Sequence, residues 1–125
     1  LWDLGTSQAR RLTVGAAEEE EADFSPDGRY VSFVREGDLY VIDLDDGRER
    51  ALTATGGEEF LNGILDWVYQ EEIYGRGEFR AYWWSPDGRR LAFLRLDERE
   101  VIISQRATVG SSCVLLMVVL VTVPA

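Results

Sequence analysis

The sequence contains no histidine, no lysine and a single cysteine, Cys113, in its 125 residues. Zinc clusters draw their ligands from histidine and cysteine, and a disulfide framework within one chain needs at least two cysteines. Neither kind of site can form from these residues alone. We therefore expect no bound metal and no cofactor.

Positive charge is also scarce. The chain carries 23 acidic residues against 13 arginines, which gives a formal net charge of −10. A surface of this sign repels phosphate backbones and anionic lipid headgroups. The charge therefore argues against a nucleic-acid partner and against a membrane-surface partner. The chain begins at Leu1 without a charged-then-apolar leader, and we interpret it as a piece of a longer protein.

The sequence contains two internal repeats. WDLGTSQARRLT, residues 2–13, aligns without a gap on IDLDDGRERALT, residues 42–53, at an offset of 40 residues. WSPDGRRLAFLR, residues 84–95, repeats FSPDGRYVSFVR, residues 24–35, but at an offset of 60 residues. The second repeat has therefore gained about 20 residues, and these fall within residues 61–80.

Each repeat is typical of a β-propeller blade, which contains several short antiparallel strands in about 40 residues. Each SPDG segment predicts a tight turn before a strand, and Gly37-Asp38 predicts the bend of a hairpin. The alternative is a β-sandwich or meander with a chance repeat. We favour an all-β partial propeller of about two blades over residues 1–101, too few to close a ring.

The added residues include LDWVYQEEIYG, residues 65–75, in which two adjacent glutamates stand among bulky apolar side chains. Leu65, Tyr69 and Ile73 recur at a spacing of four, which is typical of one face of a helix. The pattern therefore predicts a short helical insertion near residues 62–75.

The two glutamates, Glu71 and Glu72, would converge on one side of such a helix, away from Leu65. Adjacent carboxylates repel each other unless a cation lies between them. An ammonium group, with three N–H donors, is the natural candidate. The alternative is that both are solvated surface charges. Nearby aromatic residues could line a cleft around them or could equally be core: Trp67, Tyr69, Tyr74, Tyr82, Trp83 and Trp84.

Residues 62–101, NGILDWVYQEEIYGRGEFRAYWWSPDGRRLAFLRLDEREV, resemble the N-terminal propeller of the dipeptidyl peptidase IV family of serine exopeptidases. That family carries an NG-x-x-DWVYEEE segment followed by a WWSP-x-G strand start. The resemblance implies that Glu71 and Glu72 bind the free α-ammonium of a peptide substrate. It also implies removal of N-terminal dipeptides after Pro or Ala. Gln70 stands where some family members have a further Glu.

Catalysis in that family resembles that of α/β-hydrolases, with a serine on a G-x-S-x-G elbow followed by Asp and His. This sequence contains neither the elbow nor a histidine, so we expect no catalytic residue in it. The resemblance implies a C-terminal α/β-hydrolase domain in a parent chain and a periplasmic or extracellular location, and it leaves a homodimeric parent open. The alternative function is a non-catalytic TolB-like propeller module that binds a protein partner.

The last part of the chain, residues 102–125, has no acidic residue and one arginine, and the blade pattern stops there. Its apolar run, residues 113–123, is shorter than the roughly 20 residues of a membrane-spanning helix. The run is compatible with a β-strand, and a membrane anchor is a minor alternative. We predict that this apolar tail is not native to the propeller fold.

Overall fold

The computed structural model describes residues 1–66, 79–99 and 115–124, and the regular secondary structure in these ranges is all β-strand. In chain order the strands are β1 (Trp2–Asp3), β2 (Gln8–Ala9), β3 (Glu20–Phe24), β4 (Tyr30–Arg35), β5 (Asp38–Asp43), β6 (Glu49–Ala51), β7 (Phe60–Asn62), β8 (Tyr82–Trp84), β9 (Arg90–Asp97) and β10 (Leu115–Thr122). They form one two-stranded sheet and two four-stranded antiparallel sheets. Within the described residues there is no helix that is long and apolar enough to cross a membrane. The predicted all-β class and the arrangement of about two blades are confirmed.

The first four-stranded sheet is a meander in the order β3-β4-β5-β6. Its central hairpin turns at Glu36 and Gly37, which have φ angles of 53° and 79°. Positive φ at both central residues is the geometry of a type I′ turn, whose twist matches that of the flanking strands. The predicted bend at Gly37-Asp38 is therefore one residue late, because Asp38 already pairs with Arg35 as part of β5.

The second four-stranded sheet is built around β9. One edge of β9 pairs with β10 over eight residues, from Arg90 opposite Thr122 to Asp97 opposite Leu115. The other edge is shared by β8 and β7. The described part of the apolar tail therefore extends this sheet as a strand. Whether residues 102–125 are native to the fold stays a prediction.

The hairpin β1-β2 repeats the geometry of β5-β6. Trp2 pairs with Ala9, and at the 40-residue offset Ile42 pairs with Glu49. The Asp residue that ends the first strand also plays the same part in both hairpins. Asp3 accepts hydrogen bonds from the N–H groups of residues 5 and 6, and Asp43 accepts one from the N–H of residue 45. An Asp side chain that caps its own turn explains why this residue recurs.

The two SPDG turns have matching hydrogen bonds at the 60-residue offset. Ser25 Oγ donates to Asp27 Oδ1 at 2.6 Å, and Ser85 Oγ donates to Asp87 Oδ1 at 2.5 Å. In both turns the same serine hydroxyl accepts the N–H of the first residue of the following strand at 2.9 Å. The repeated SPDG sequence thus forms the same turn, with the same side-chain hydrogen bonds, in both sheets.

The main core lies between the two four-stranded sheets. Its buried members are Tyr30, Val34, Leu39, Val41, Ile64, Tyr82, Leu91, Phe93 and Val123. Trp84 of the second sheet stacks on Tyr30 of the first, with ring centroids 6.0 Å apart and an interplanar angle of 17°. Val31 and Phe33 are buried on the other face of the first sheet, where they line a cavity with Leu1 of the N-terminal segment. The first sheet is therefore covered on both faces, as an inner blade of a propeller must be.

Candidate functional site

The insertion leaves the second sheet at the edge of β9 that faces away from β10. β8 covers the first half of this edge and β7 covers the second half. Between them, the N–H of Leu94 donates to the carbonyl oxygen of Ala81, and the N–H of Gly63 donates to the carbonyl oxygen of Leu94, both at 2.9 Å. The chain therefore departs at Gly63 and returns at Ala81, side by side.

The matching place in the first sheet is a β-bulge. Leu94 corresponds to Val34 at the 60-residue offset. Opposite Val34, the pairing of β3 with β4 shifts register between Glu20 and Asp23, and Glu21 has a φ of 53°. A bulge is a point where one strand holds an unpaired residue and bends. The insertion thus enters the second blade where the first blade is already irregular.

A short two-stranded stem, residues 63–65 and 79–81, carries the insertion. Ile64 and Arg80 form an antiparallel bridge, and the N–H of Leu65 donates to the carbonyl oxygen of Phe79 at 2.8 Å. Ile64 is buried in the core between the sheets, whereas Leu65 is buried in a separate cluster below the stem. Neighbouring side chains on opposite faces are the pattern of an extended strand.

The structure describes only the first part of the predicted helix near residues 62–75. Asn62 ends a strand, Gly63 is a bend and Ile64 forms a β-bridge, so a helix does not begin at Asn62. The rest of the predicted helix, together with the predicted substrate-binding residues Glu71 and Glu72, lies outside the described residues. What the structure shows is that both ends of the intervening segment are joined to one sheet by the stem.

An ion pair connects the stem to the first sheet. Arg80 Nη1 lies 2.7 Å from Asp23 Oδ2 on β3, and each side chain is 38% exposed. At this exposure an ion pair contributes about 0–1 kcal/mol to stability. Its main effect is therefore to orient the returning strand of the stem relative to the neighbouring blade.

Two carboxyl groups meet where the stem ends. Burial raises the pKa of Glu98, and the neighbouring Asp66 carboxyl raises it further through a hydrogen bond and like charge. A hydrogen bond between two carboxyl groups requires that one of them be protonated. The backbone N–H of Glu98 also donates to the carbonyl oxygen of Glu59 at 2.8 Å. Burial and the Asp66 carboxyl therefore both favour the protonated form of Glu98.

Asn62, the last residue of β7, fastens the departing strand of the stem to the first sheet. Its side chain is buried, and Nδ2 lies 3.2 Å from both the carbonyl oxygen of Gly37 and Asp38 Oδ1, and 3.3 Å from Thr55 Oγ1. Its backbone N–H donates to the same Gly37 oxygen at 2.9 Å. Sequence reasoning did not predict this contact, although Asn62 lies in the Asn-Gly pair that opens residues 62–101.

The aromatic residues of the region divide between core and surface. Tyr82 is fully buried and Trp84 is half-buried against Tyr30, so both are core residues rather than the lining of a cleft. Trp83 is 49% exposed. Trp67, Tyr69 and Tyr74 lie outside the described residues. Among the described residues, no group of three or more Cys, Asp or Glu side chains is placed to hold a metal ion.

Comparison with known proteins gives a consistent result. Residues 1–112 match the family described as "Dipeptidyl peptidase IV (DPP IV) N-terminal region". The chain is 41% identical over 103 residues to "Probable dipeptidyl-aminopeptidase B" of Talaromyces stipitatus, covering 81% of this chain and 11% of that protein. It is 41% identical over 86 residues to "Dipeptidyl peptidase 4" of Trichophyton rubrum, covering 69% of this chain and 11% of that protein.

A solved structure agrees with these relatives. The chain is similar to the crystal structure of Porphyromonas gingivalis dipeptidyl peptidase 4, with a TM-score of 0.73 and 35% identity. The match covers 81% of this chain and 14% of that one. The chain thus spans about a tenth of the length of the curated relatives it matches.

Proposed function

Because the chain belongs to the family of dipeptidyl peptidase IV N-terminal regions, we propose that it is the substrate-selecting propeller portion of a serine-type dipeptidyl peptidase. The parent enzyme removes dipeptides from peptides with a free N-terminus, after Pro or Ala. A C-terminal α/β-hydrolase domain of the parent chain supplies the Ser, Asp and His. Family membership over residues 1–112 is the observation that carries this proposal.

In this function Glu71 and Glu72 bind the α-ammonium of the substrate. An α-amino group has an ordinary pKa of about 7.7–8.0, so it is mostly charged at neutral pH. Two carboxylates can share its three N–H donors through charge-assisted hydrogen bonds. An N-acetylated peptide lacks the positive charge and most of these donors, so it is rejected.

The stem supports this proposal because both ends of the segment that carries the two glutamates are joined to one sheet. Both strands of the stem are hydrogen-bonded to each other and to β9. In the proposed function, the distance between the bound ammonium and the reacting serine decides which peptide bond is cleaved. A constant distance selects the second peptide bond, which is the geometry that releasing dipeptides requires.

The first test measures binding of the tripeptide Ala-Pro-Ala to this chain by NMR titration. Glu71→Gln and Glu72→Gln should each weaken binding at least tenfold, because losing one partner of such a charged contact costs about 2–5 kcal/mol. N-acetyl-Ala-Pro-Ala should bind the unaltered chain at least tenfold more weakly than the free peptide. Glu58→Gln is the matched control, since Glu58 is an exposed glutamate outside the insertion, and it should change nothing.

The parent enzyme provides a second measurement of the same residues. Glu71→Gln or Glu72→Gln should lower kcat/KM for dipeptide release at least tenfold. Equal binding of free and N-acetylated tripeptide, with unchanged kinetics in both variants, would remove the ammonium-binding role. The chain would then be a non-catalytic propeller module that binds a protein partner.

A further inference from the structure

Asn62 is the only asparagine in the chain, and a glycine follows it directly. In an Asn-Gly pair the backbone nitrogen of the glycine can attack Cγ of the asparagine, because glycine has no Cβ to hinder the approach. The new bond closes a five-membered imide ring, and Nδ2 leaves as ammonia with the proton of the glycine N–H. Water then opens the ring at either carbonyl, which leaves aspartate or isoaspartate. The sequence therefore contains one asparagine that is chemically prone to deamidation.

The folded chain holds the Asn62 amide in a buried set of hydrogen bonds. Nδ2 lies 3.2 Å from both the carbonyl oxygen of Gly37 and Asp38 Oδ1, and 3.3 Å from Thr55 Oγ1. Asn62 itself is 1% exposed. Cyclisation requires Cγ to turn toward the following backbone nitrogen, and this movement would break the contacts of Nδ2. Because a buried donor that loses its partners is costly, the folded state disfavours the reactive geometry.

The attacking nitrogen is restrained as well. The N–H of Gly63 donates to the carbonyl oxygen of Leu94, and the carbonyl oxygen of Gly63 accepts the N–H of Ala81, both at 2.9 Å. The nitrogen can attack only after it loses its proton, and this proton is engaged in a hydrogen bond to β9. Bonds on both sides of Gly63 also fix its position relative to the Asn62 side chain. Both reacting groups are therefore held apart while these bonds persist.

We propose that Asn62-Gly63 is a deamidation site that the folded chain protects, and that it reacts when the contact between Asn62 and Asp38 opens. This contact belongs to a cluster, the Asp38 joint, in which Asp38 Oδ1 accepts from Thr53 Oγ1 at 2.5 Å, the N–H of Gly56 at 2.9 Å, the N–H of Thr55 at 3.1 Å and Asn62 Nδ2 at 3.2 Å. Three of the four donors belong to the loop after β6. Movement of this loop away from Asp38 opens the buried amide to water.

The products of the reaction do not fit the Asp38 joint. The three neighbours of Nδ2 are all oxygen atoms, and a new carboxylate in place of the amide would lie buried against the carboxylate of Asp38. Isoaspartate adds one carbon to the backbone at the end of β7 and disrupts the pairing of residue 62 with Arg95. The reaction therefore works in one direction, and each molecule that reacts is lost from the folded population.

The first measurement compares deamidation in the folded and the unfolded chain. The chain is incubated in mildly alkaline buffer with and without urea, and mass spectrometry with fragmentation follows the mass of residue 62. Conversion in urea should be at least fiftyfold faster than in buffer. Gly63→Ala should slow conversion in urea at least fivefold, because its Cβ hinders the attack. Equal rates for the original chain in urea and in buffer would overturn the proposal, since the fold would then protect nothing.

Two variants separate the Asp38 joint from overall stability. Asp38→Ala removes the acceptor that the four donors share, and it should speed conversion in buffer at least tenfold. Val41→Ala changes a core residue that takes no part in the joint, and it should change the rate less than threefold while circular dichroism shows both variants folded. Equal acceleration in both would overturn the role of the joint. If Asp38→Ala does not fold, Thr55→Val removes one acceptor of Nδ2 and should speed conversion at least threefold.

A last pair of variants tests whether the product prevents the joint from forming again. Asn62→Asp reproduces one product of the reaction and should lower Tm by about 5 °C or more, because it places a second carboxylate against Asp38. Adding Asp38→Asn returns an NH₂ group to the contact and should restore most of the lost Tm. If Asn62→Asp melts at the same temperature as the original chain, the one-way step is wrong.

Discussion

The hydroxyl of Tyr82 is a hydrogen-bonding group in the middle of an otherwise apolar contact between two sheets. It donates to the backbone carbonyl oxygen of Glu21 and accepts from Ser32 Oγ at 3.2 Å. Ser32 Oγ in turn accepts the indole N–H of Trp84 at 2.9 Å. A buried hydroxyl with partners on both sides holds the two sheets in one relative position.

Burial raises the pKa of Tyr82 to about 12, above its ordinary value of 10.0. The unfolded chain therefore loses this proton first as pH rises, and the stability that depends on neutral Tyr82 is complete below pH 10 and lost between about pH 10 and 12. Urea unfolding across this range should show a falling free energy of unfolding. In Tyr82→Phe the free energy of unfolding should fall less steeply with pH, because one group fewer releases its proton on unfolding. Equal slopes in the two proteins would contradict the assignment.

Single residues also show where sequence reasoning succeeds and where it stops. The turns at Ser25 and Ser85 were predictable because each serine and its Asp bond within six residues of chain. The bond from Asn62 to Asp38 was not, because the two residues are 24 positions apart. Such a bond forms only when the two sheets are packed together, so no local sequence pattern predicts it.

At the scale of elements, the base of the insertion shows how far spacing alone can lead. Leu65, Tyr69 and Ile73 fit a helical period, which predicted a helix near residues 62–75, and beyond residue 66 this stays a prediction because residues 67–75 lie outside the described residues. At the start of this range, Ile64 and Leu65 are buried in two different clusters, one on each side of the stem. Adjacent buried residues satisfy a strand between two apolar layers as well as a helix. The layers were not visible in the sequence, so the ambiguity could not be resolved from it.

Gly63 is the hinge point of the stem, and we expect Gly63→Ala to be destabilising. Its φ is +78°, a conformation that costs other residues roughly 1–2 kcal/mol. An added Cβ would also touch Leu39 and Tyr82 side chains at 3.4 Å. Gly47→Ala is the matched control, since Gly47 has a φ of +71° and no atom within 4 Å of an added Cβ.

Both variants should lose about 1–2 kcal/mol in urea unfolding because both force a side chain into left-handed backbone. Gly63→Ala alone should also speed hydrogen exchange of the stem amide of Leu65, since its strain is released into the stem. Slower or unchanged Leu65 exchange in Gly63→Ala would show that the stem is not coupled to this residue.

At the scale of the whole molecule, the two sheets differ in whether the face that packs against the next blade is covered. The face of the first sheet that contains Val34 is covered by the second sheet. The equivalent face of the second sheet, around Leu94, presents Trp83, Val118 and Leu120 with exposures of 49%, 71% and 62%. In a propeller the next blade covers such a face. In the described part of the chain, this face of the second sheet is therefore apolar and exposed.

Exposed apolar faces of this kind promote association, and the segment around Val118 carries no charge to oppose it. We expect the chain to self-associate in a concentration-dependent way by sedimentation velocity. Leu120→Lys should reduce this association, because it places a charge in the middle of the face. Val14→Lys is the control, since Val14 is 96% exposed outside the sheets. If both variants associate as the original chain does, this face is not the contact.

The β-bulge at Glu21 has a consequence for protein engineering. Two blades of one molecule have the same framework of strands and turns, yet at this single position one holds an unpaired residue and the other holds an insertion on a stem. Comparison of the two blades thus identifies a position at which residues can be inserted while the central strand β9 keeps its pairing with β7 and β8 on either side. A foreign recognition loop grafted after Glu21, with residues 63–65 and 79–81 copied as its adaptor, would give the first blade a designed binding loop.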